Sequence, residues 1–141
     1  MQALIVEDSR VVATILRARL EHAGFQVAAA TNASEGWHMF QSAKPQLVTL
    51  DIVMPGGKGL DAFSLLERIR KEAPNTAVFI VSGSSSVDDR DRFMQAGAMG
   101  FISKPFIDFE KFLDQLRKIL PGFVGRAASS LGSPPRPSAR P

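Results

Sequence analysis

The sequence predicts an α/β fold: a doubly wound parallel sheet of five strands with helices on both faces. Five short apolar runs rich in β-branched residues are separated by segments whose apolar residues recur at helical spacing. The runs contain few polar residues, which is typical of parallel strands buried on both sides. Strands that alternate with helices in this way favour right-handed crossovers around a single sheet.

The predicted strands are the five apolar runs, at residues 3–6, 27–30, 47–50, 78–81 and 100–102. Ser9 can cap the first helix and Gly24 can end it. The second helix opens at Asn32 or at one of the two residues after it, and Pro74 closes the third. A fourth, short and charged helix is expected around residues 87–96, and a fifth follows the last strand.

A chain of 141 residues has room for one domain. We expect a folded unit over residues 1–120 and a disordered tail or linker over residues 121–141. The tail has five prolines and no acidic residue, a composition that buries too little apolar surface to offset the entropy of ordering. No second folded domain is expected, so the chain either acts alone or is a domain excised from a longer protein.

Charge is distributed unevenly along the chain. Residues 1–120 hold 14 Lys and Arg against 14 Asp and Glu, and the net charge of +3 comes from Arg126, Arg136 and Arg140. Three dispersed arginines without interleaved aromatic residues are a weak nucleic-acid signal, so we expect no direct contact with nucleic acid. The apolar runs are far shorter than the roughly 20 residues that span a bilayer. We expect a cytoplasmic protein with no membrane segment.

Polar residues stand at the ends of four predicted strands. They are Glu7 and Asp8 after the first strand, Asp51 after the third, Ser82 after the fourth and Lys104 after the fifth. Ligands of doubly wound sheets bind outside the carboxyl ends of the strands, so we expect these side chains to converge. Each residue alone has an ordinary explanation in a turn or a helix cap. Their co-occurrence at one edge of one sheet favours a shared site.

Three carboxylates, one hydroxyl and one ammonium group suit a divalent cation beside a phosphoryl group. The acidic pair and Asp51 are hard oxygen donors of the kind that Mg²⁺ prefers. With such a cation screening it, Asp51 is the candidate nucleophile that forms an aspartyl phosphate. Ser82 would donate a hydrogen bond and Lys104 would offer a point charge to the phosphoryl oxygens. Pro105 would fix the turn that aims the lysine inward.

The same residues resemble the motifs of a known family. The motifs are Glu7-Asp8, the run Asp51-Ile52-Val53-Met54-Pro55, Ser82-Gly83, and Phe101 three positions before Lys104-Pro105. Together they resemble the receiver domain of two-component response regulators, over roughly residues 1–120 and without a large insertion. The resemblance implies a flavodoxin-like sheet with the strand order 2-1-3-4-5.

The resemblance also implies a function. The acidic pair and Asp51 would bind Mg²⁺ with the backbone carbonyl of Val53 as a further ligand. Asp51 would accept a phosphoryl group from a histidine kinase or a histidine phosphotransfer protein. Ser82 and Phe101 match the family's switch pair, in which the hydroxyl moves toward the phosphate and the aromatic ring turns inward. The face around helix 4, strand 5 and helix 5 would then bind a downstream protein.

A receiver domain is a signalling phosphoprotein, which at most catalyses its own phosphorylation and dephosphorylation. We expect a monomer or a weak dimer. Val53 offers no polar atom to orient an attacking water, so we also expect slow self-dephosphorylation.

Other interpretations stay open at this point. A phosphatase of the haloacid dehalogenase type uses similar residues, but it needs a second carboxylate two positions after the nucleophile, where this chain has Val53. An adaptor with the same fold would work without phosphorylation. Phe101 can also be a packed core residue that does not move.

Overall fold

The computed structural model describes residues 1–52, 60–83, 87–104 and 108–125, apart from the side chains of residues 87 and 88. The strands are β1 (Gln2–Val6), β2 (Gln26–Ala30), β3 (Leu47–Asp51), β4 (Ala77–Ser82) and β5 (Gly100–Ser103). The helices are α1 (Arg10–His22), α2 (Ala33–Ala43), α3 (Ala62–Glu72), α4 (Val87–Gln95) and α5 (Phe109–Ile119). The predicted alternation is confirmed, because each strand lies within one residue of its predicted bounds.

The five strands form one parallel sheet in the order β2-β1-β3-β4-β5, as predicted. The strand order reverses at β1 and β3, which is where doubly wound sheets open a crevice at their carboxyl ends. The register pairs Val6 with Leu50 and Asp51 with Val81. The last residues of β1, β3 and β4 are therefore nearly level with one another at this edge.

Apolar side chains fill a layer on each face of the sheet. Helices α1 and α5 cover one face, and α2, α3 and α4 cover the other. Strands β3 and β4 are buried along their whole length, in agreement with their mostly apolar sequence. Within the described residues, no helix combines the length and the apolar character needed to cross a bilayer. Because both faces are covered, polar side chains can meet only at the ends of the strands, and the carboxyl edge is one of these two places.

Local sequence determines where the helices begin and end. Ser9, Asn32 and Asp61 each accept a hydrogen bond on the side chain from the backbone N–H three residues later. The predicted cap of α1 is therefore confirmed, the cap of α2 is Asn32 among the three residues predicted to open that helix, and α3 begins in the same way. Gly24 follows α1 with a φ of 112°, in the left-handed region that glycine adopts at helix ends. Pro74 follows the last turn of α3, as predicted.

The segment after α5 packs on the domain as far as residue 125. The ring of Phe123 stacks on that of Phe25, with 5.0 Å between centroids and an interplanar angle of 26°. Nε of Arg117 donates a hydrogen bond to the carbonyl oxygen of Val124 at 2.8 Å. Phe25 directly precedes β2, so this segment lies at the amino edge of the sheet. Residues 126–141 of the predicted tail lie outside the described residues, and the domain boundary stays a prediction.

Candidate functional site

Three carboxylates converge at the carboxyl ends of β1 and β3. Glu7 and Asp8 follow β1, and Asp51 is the last residue of β3; one oxygen from each lies within 4.8 Å of the other two. Glu7 and Asp51 are buried and Asp8 is exposed. The N–H of Glu7 donates to the carbonyl oxygen of Ala30 at 2.9 Å, which holds the backbone of the acidic pair against β2. The cluster is thus built into the sheet and opens to solvent at Asp8.

Lys104 reaches the same cluster from the end of β5. Its Nζ lies 3.6 Å from Oε1 of Glu7 and 3.6 Å from Oδ1 of Asp51. The lysine side chain is 25% exposed, against 1% and 3% for the two carboxylates. The N–H of Lys104 donates to the carbonyl oxygen of Ser82 at 2.9 Å. A single ammonium group therefore pairs with two buried carboxylates, and the backbone of Lys104 is held by its hydrogen bond to β4.

The electrostatics of Glu7 show that this countercharge is insufficient. The pKa of Glu7 is raised from its usual 4.5 to about 7, first by burial and then by the neighbouring Asp51 carboxyl. The Ser9 N–H, which donates to Oε2 at 3.2 Å, and Lys104 oppose this rise in pKa without overcoming it. Oε1 of Glu7 is buried and accepts no hydrogen bond from the described residues. The hard oxygen donors therefore fit a divalent cation, which would supply the missing positive charge.

Ser82 brings a hydroxyl group to this edge from the end of β4. The residue is 6% exposed, and its Oγ is buried with no hydrogen-bond partner among the described residues. Burial of a hydroxyl without a hydrogen-bond partner costs about 1–3 kcal/mol of folding free energy, so such a group needs a specific explanation. An anionic oxygen held beside Asp51 would provide an acceptor. The hydroxyl of Thr49, in β3, is likewise buried without a partner in the described part of the chain.

Phe101, the second residue of the predicted switch pair, lies in β5. Its ring is half-buried against the apolar layer of α2, α3 and α4. The guanidinium of Arg90 in α4 lies over this ring, with Cζ 5.1 Å from the centroid. Both residues line a groove of about 520 Å³ between α4, β5 and α5. The face predicted to contact a downstream protein therefore contains a groove, while its switching stays a prediction.

The sequence did not indicate the contact between Arg90 and Phe101. Residues 88–92 form a charged run with three acids and two arginines, the composition of an ordinary solvent-exposed helix face. The position of Arg90 over the ring depends on how α4 packs beside β5, and no spacing in the sequence carries that information.

The described structure brings five of the predicted site residues to the carboxyl edge of the sheet: Glu7, Asp8, Asp51, Ser82 and Lys104. Phe101, the predicted switch residue, lies within β5 and not at this edge. Val53 and Pro105, the predicted carbonyl ligand and the predicted turn residue, lie outside the described residues.

A larger groove, of about 1000 Å³, lies at the amino edge of the sheet. Its lining includes Met1, Pro45, Thr76 and Leu120, which precede or follow strands and helices at that edge. None of the predicted site residues that the structure describes lines this groove. The volume of a groove therefore does not identify the candidate site. The convergence of charged side chains at the carboxyl edge does.

The model of the response regulator receiver domain matches residues 3–117 of this sequence. The chain belongs to the response regulator receiver family. Receiver domains are signalling modules of two-component systems and not classical enzymes. The predicted family and fold are therefore confirmed.

Relatives of this receiver domain include longer regulators. The uncharacterized transcriptional regulatory protein YkoG of Bacillus subtilis is 33% identical over 117 residues, which cover 83% of this chain and 50% of the relative. The transcriptional activator protein IrlR of Burkholderia pseudomallei is 33% identical over 120 residues, which cover 85% of this chain and 50% of the relative. The receiver domain thus spans about half the length of these curated relatives.

A solved structure of similar fold is the CheY-like response regulator receiver domain protein from Methanospirillum hungatei. It superposes on this receiver domain with a TM-score of 0.73 and 26% sequence identity. The match covers 83% of this chain and 90% of that one. This similarity supports the fold over nearly the whole of that receiver structure.

Proposed function

We propose that this receiver domain accepts a phosphoryl group on Asp51 in a Mg²⁺-dependent reaction. The donor is a phosphohistidine of a histidine kinase or of a histidine phosphotransfer protein. One observation carries the proposal: Nζ of Lys104 lies 3.6 Å from Asp51 and 3.6 Å from Glu7, which form a cluster of three carboxylates with Asp8. An acidic pocket with one internal cation suits a phosphoryl group that arrives with a divalent metal ion.

In the transfer, a carboxylate oxygen of Asp51 forms a bond to phosphorus as the N–P bond of the phosphohistidine breaks. The electron pair of the broken bond stays on the imidazole nitrogen, which takes up a proton. Lys104 lies beside Asp51 and would hold one oxygen of the transferred group. The buried hydroxyl of Ser82 would donate a hydrogen bond to another. These two groups compensate the negative charge that moves onto the site.

Glu7, Asp8 and Asp51 would hold the Mg²⁺ ion, together with the backbone carbonyl of Val53. When bound, the ion supplies positive charge that screens Asp51 from the incoming phosphoryl oxygens. The raised pKa of Glu7 supports this assignment, because it reflects a shortage of positive charge. Oε1 of Glu7 accepts no hydrogen bond from the described residues and forms an ion pair with Lys104.

The output would pass through the groove between α4, β5 and α5. A phosphoryl group favours the arrangement in which Ser82 reaches it, and Phe101 then changes position on the adjacent strand. The downstream partner would be a protein that binds this groove, and the receiver itself would not contact nucleic acid. The names of YkoG and IrlR support a role in regulating transcription through a separate segment. We place the protein in the cytoplasm, as a monomer or a weak dimer.

Treatment with acetyl phosphate and Mg²⁺, followed by intact mass measurement, tests this function. The wild type should gain one phosphoryl group, and Asp51→Asn should gain none. Asp114→Asn is the matched control, because Asp114 is an exposed carboxylate on α5 and should not affect labelling. An adduct that persists in Asp51→Asn would contradict the assignment.

The same sample distinguishes the two alternative functions. Catalytic turnover of an aryl phosphate would favour a phosphatase. A downstream partner that binds equally well with and without a beryllofluoride adduct would favour an adaptor that works without phosphorylation.

A further inference from the structure

Two arginines of α4 each place a guanidinium group over an aromatic ring of a different element. Cζ of Arg90 lies 5.1 Å from the ring centroid of Phe101 in β5, and Cζ of Arg92 lies 4.0 Å from that of Phe63 in α3. Phe63 also packs edge-on against Phe93, with 5.5 Å between centroids. The contact of Arg92 thus belongs to the packing of α4 on α3. The contact of Arg90 instead joins α4 to the predicted switch residue.

The ring of Phe101 lies between two environments. One side packs on the apolar layer beneath α2, α3 and α4, and the ring also lines the groove beside β5. Arg90 is exposed and lines the same groove. A cation over the face of an aromatic ring attracts it through the ring quadrupole, even at an exposed site. A ring that leaves this position loses the attraction unless α4 moves with it.

We propose that Arg90 is a positioning residue of the switch, whose guanidinium holds the Phe101 ring at the groove and so disfavours the phosphorylated arrangement. The proposal rests on the proposed function. A contact biases an equilibrium by the difference in its strength between the two states. The Arg90 contact stabilises the arrangement that the structure describes, so its removal should raise the population of the other one.

Binding of beryllofluoride in the presence of Mg²⁺, followed by calorimetry, measures this bias. Arg90→Gln keeps most of the side-chain length and removes the cation. Its apparent dissociation constant for beryllofluoride should be about two- to fivefold lower than that of the wild type, the factor that corresponds to a contact of about 0.5–1 kcal/mol. Arg92→Gln is the matched control, because it removes the same charge from the same helix and leaves Phe101 untouched. We expect its affinity to equal that of the wild type.

Two further variants separate positioning from a general effect on the fold. Arg90→Lys retains a cation and should return the affinity toward the wild-type value. Arg90→Gln should have no effect in a Phe101→Leu background, because the ring that the guanidinium holds is then missing. The ring resonances of Phe101 in the metal-free protein should shift in Arg90→Gln and stay unchanged in Arg92→Gln.

Three results would overturn the role of Arg90: equal affinities of the Arg90→Gln and Arg92→Gln variants, weaker binding by Arg90→Gln, or an effect that persists without the Phe101 ring. In each of these cases the wild type still binds beryllofluoride, and the proposed function stands. If the wild type does not bind beryllofluoride with Mg²⁺, the proposed function fails and the role of Arg90 fails with it.

Discussion

The backbone N–H of Lys104 donates a hydrogen bond to the carbonyl oxygen of Ser82 at 2.9 Å. This bond continues the pairing of β4 with β5 by one residue beyond the end of β5. It fixes the residue that carries the ammonium group beside the residue that carries the hydroxyl group. The backbone positions of the two residues proposed to hold a phosphoryl group are therefore tied to each other.

Replacement of Lys104 by methionine should have opposite effects on stability and on metal binding. Without the ammonium group, the buried carboxylates of Glu7 and Asp51 lose their shared countercharge, and the metal-free protein should lose about 1–2 kcal/mol of unfolding free energy, since the lysine is partly solvated. Mg²⁺ should bind more tightly, because no internal cation competes with it. Urea unfolding and calorimetric titration measure the two effects.

Lys118→Met provides the control for this substitution, because Lys118 is exposed near the end of α5. It should change neither quantity. Weaker Mg²⁺ binding by the Lys104 variant would show that the lysine supports the metal site and does not compete with it.

The metal-free protein should become more stable as the pH falls from about 8 to about 5. The pKa of Glu7 is raised to about 7 by burial and by Asp51, whereas an unfolded glutamate titrates at its usual 4.5. Between these values the folded state binds a proton that the unfolded state does not, so unfolding free energy rises as the pH falls. The gain should be about 1–3 kcal/mol, measured by urea unfolding with a chelator present.

Glu7→Gln should abolish this pH dependence, because the amide does not titrate. Asp61 does not interfere in this range. The Ser64 N–H lowers the pKa of Asp61 below its usual 3.8, so its contribution is present above that pH and is lost only in more acidic solution. If the unfolding free energy of Glu7→Gln still changes between pH 5 and pH 8, the proton binds to another group.

Ser82→Ala should leave the metal-free fold as stable as the wild type or up to about 1 kcal/mol more stable. The hydroxyl has no partner among the described residues, so its removal relieves a desolvation cost. The same change should weaken Mg²⁺-dependent binding of beryllofluoride roughly 10- to 100-fold, because a hydrogen bond to a charged group is lost. Thermal unfolding and calorimetry give the two quantities.

Thr49→Val is the comparison for Ser82→Ala, since the Thr49 hydroxyl is also buried without a partner in the described structure. It should stabilise the fold similarly and leave beryllofluoride binding unchanged. Equal losses of binding in the two variants would argue against a direct contact by Ser82.

Gly100→Ala should destabilise the domain by about 1–3 kcal/mol through overpacking. A Cβ at this position would lie 2.8 Å from Cε2 of Phe79. The Phe79 ring cannot move aside freely, because it is fully buried and packs edge-on against Phe112 with 4.9 Å between centroids. Gly83→Ala is the control, since its Cβ would approach the Lys104 side chain only to 3.9 Å. Urea unfolding of both variants checks the difference.

The sequence predicts the strands well because a strand buried on both faces appears as a short run of mostly apolar residues. In β3 and β4 every residue is buried, and the corresponding runs are nearly free of polar residues. Helix starts are also predictable, since Ser9 and Asn32 act within three residues of their own position. The site follows from topology, because parallel strands bring residues that follow them to one edge.

Properties that depend on distances between elements could not be predicted. The pKa of Glu7 depends on burial and on the proximity of Asp51, residues that are 44 positions apart in the chain. The contact between Arg90 and Phe101 depends on the position of α4 beside β5. The sequence contains no information on either distance, because both depend on how separate elements pack in the folded domain.

The stacking of Phe123 on Phe25 holds the last described residues at the amino edge of the sheet. Phe25 precedes β2, whereas Asp51 ends β3, so the two lie at opposite ends of a sheet whose strands are roughly 15 Å long. A module joined after residue 125 would start at the end of the sheet opposite to Asp51, the proposed phosphoryl acceptor. Such a module would not start beside Asp51, so the proposed phosphorylation would affect it through movement of secondary-structure elements.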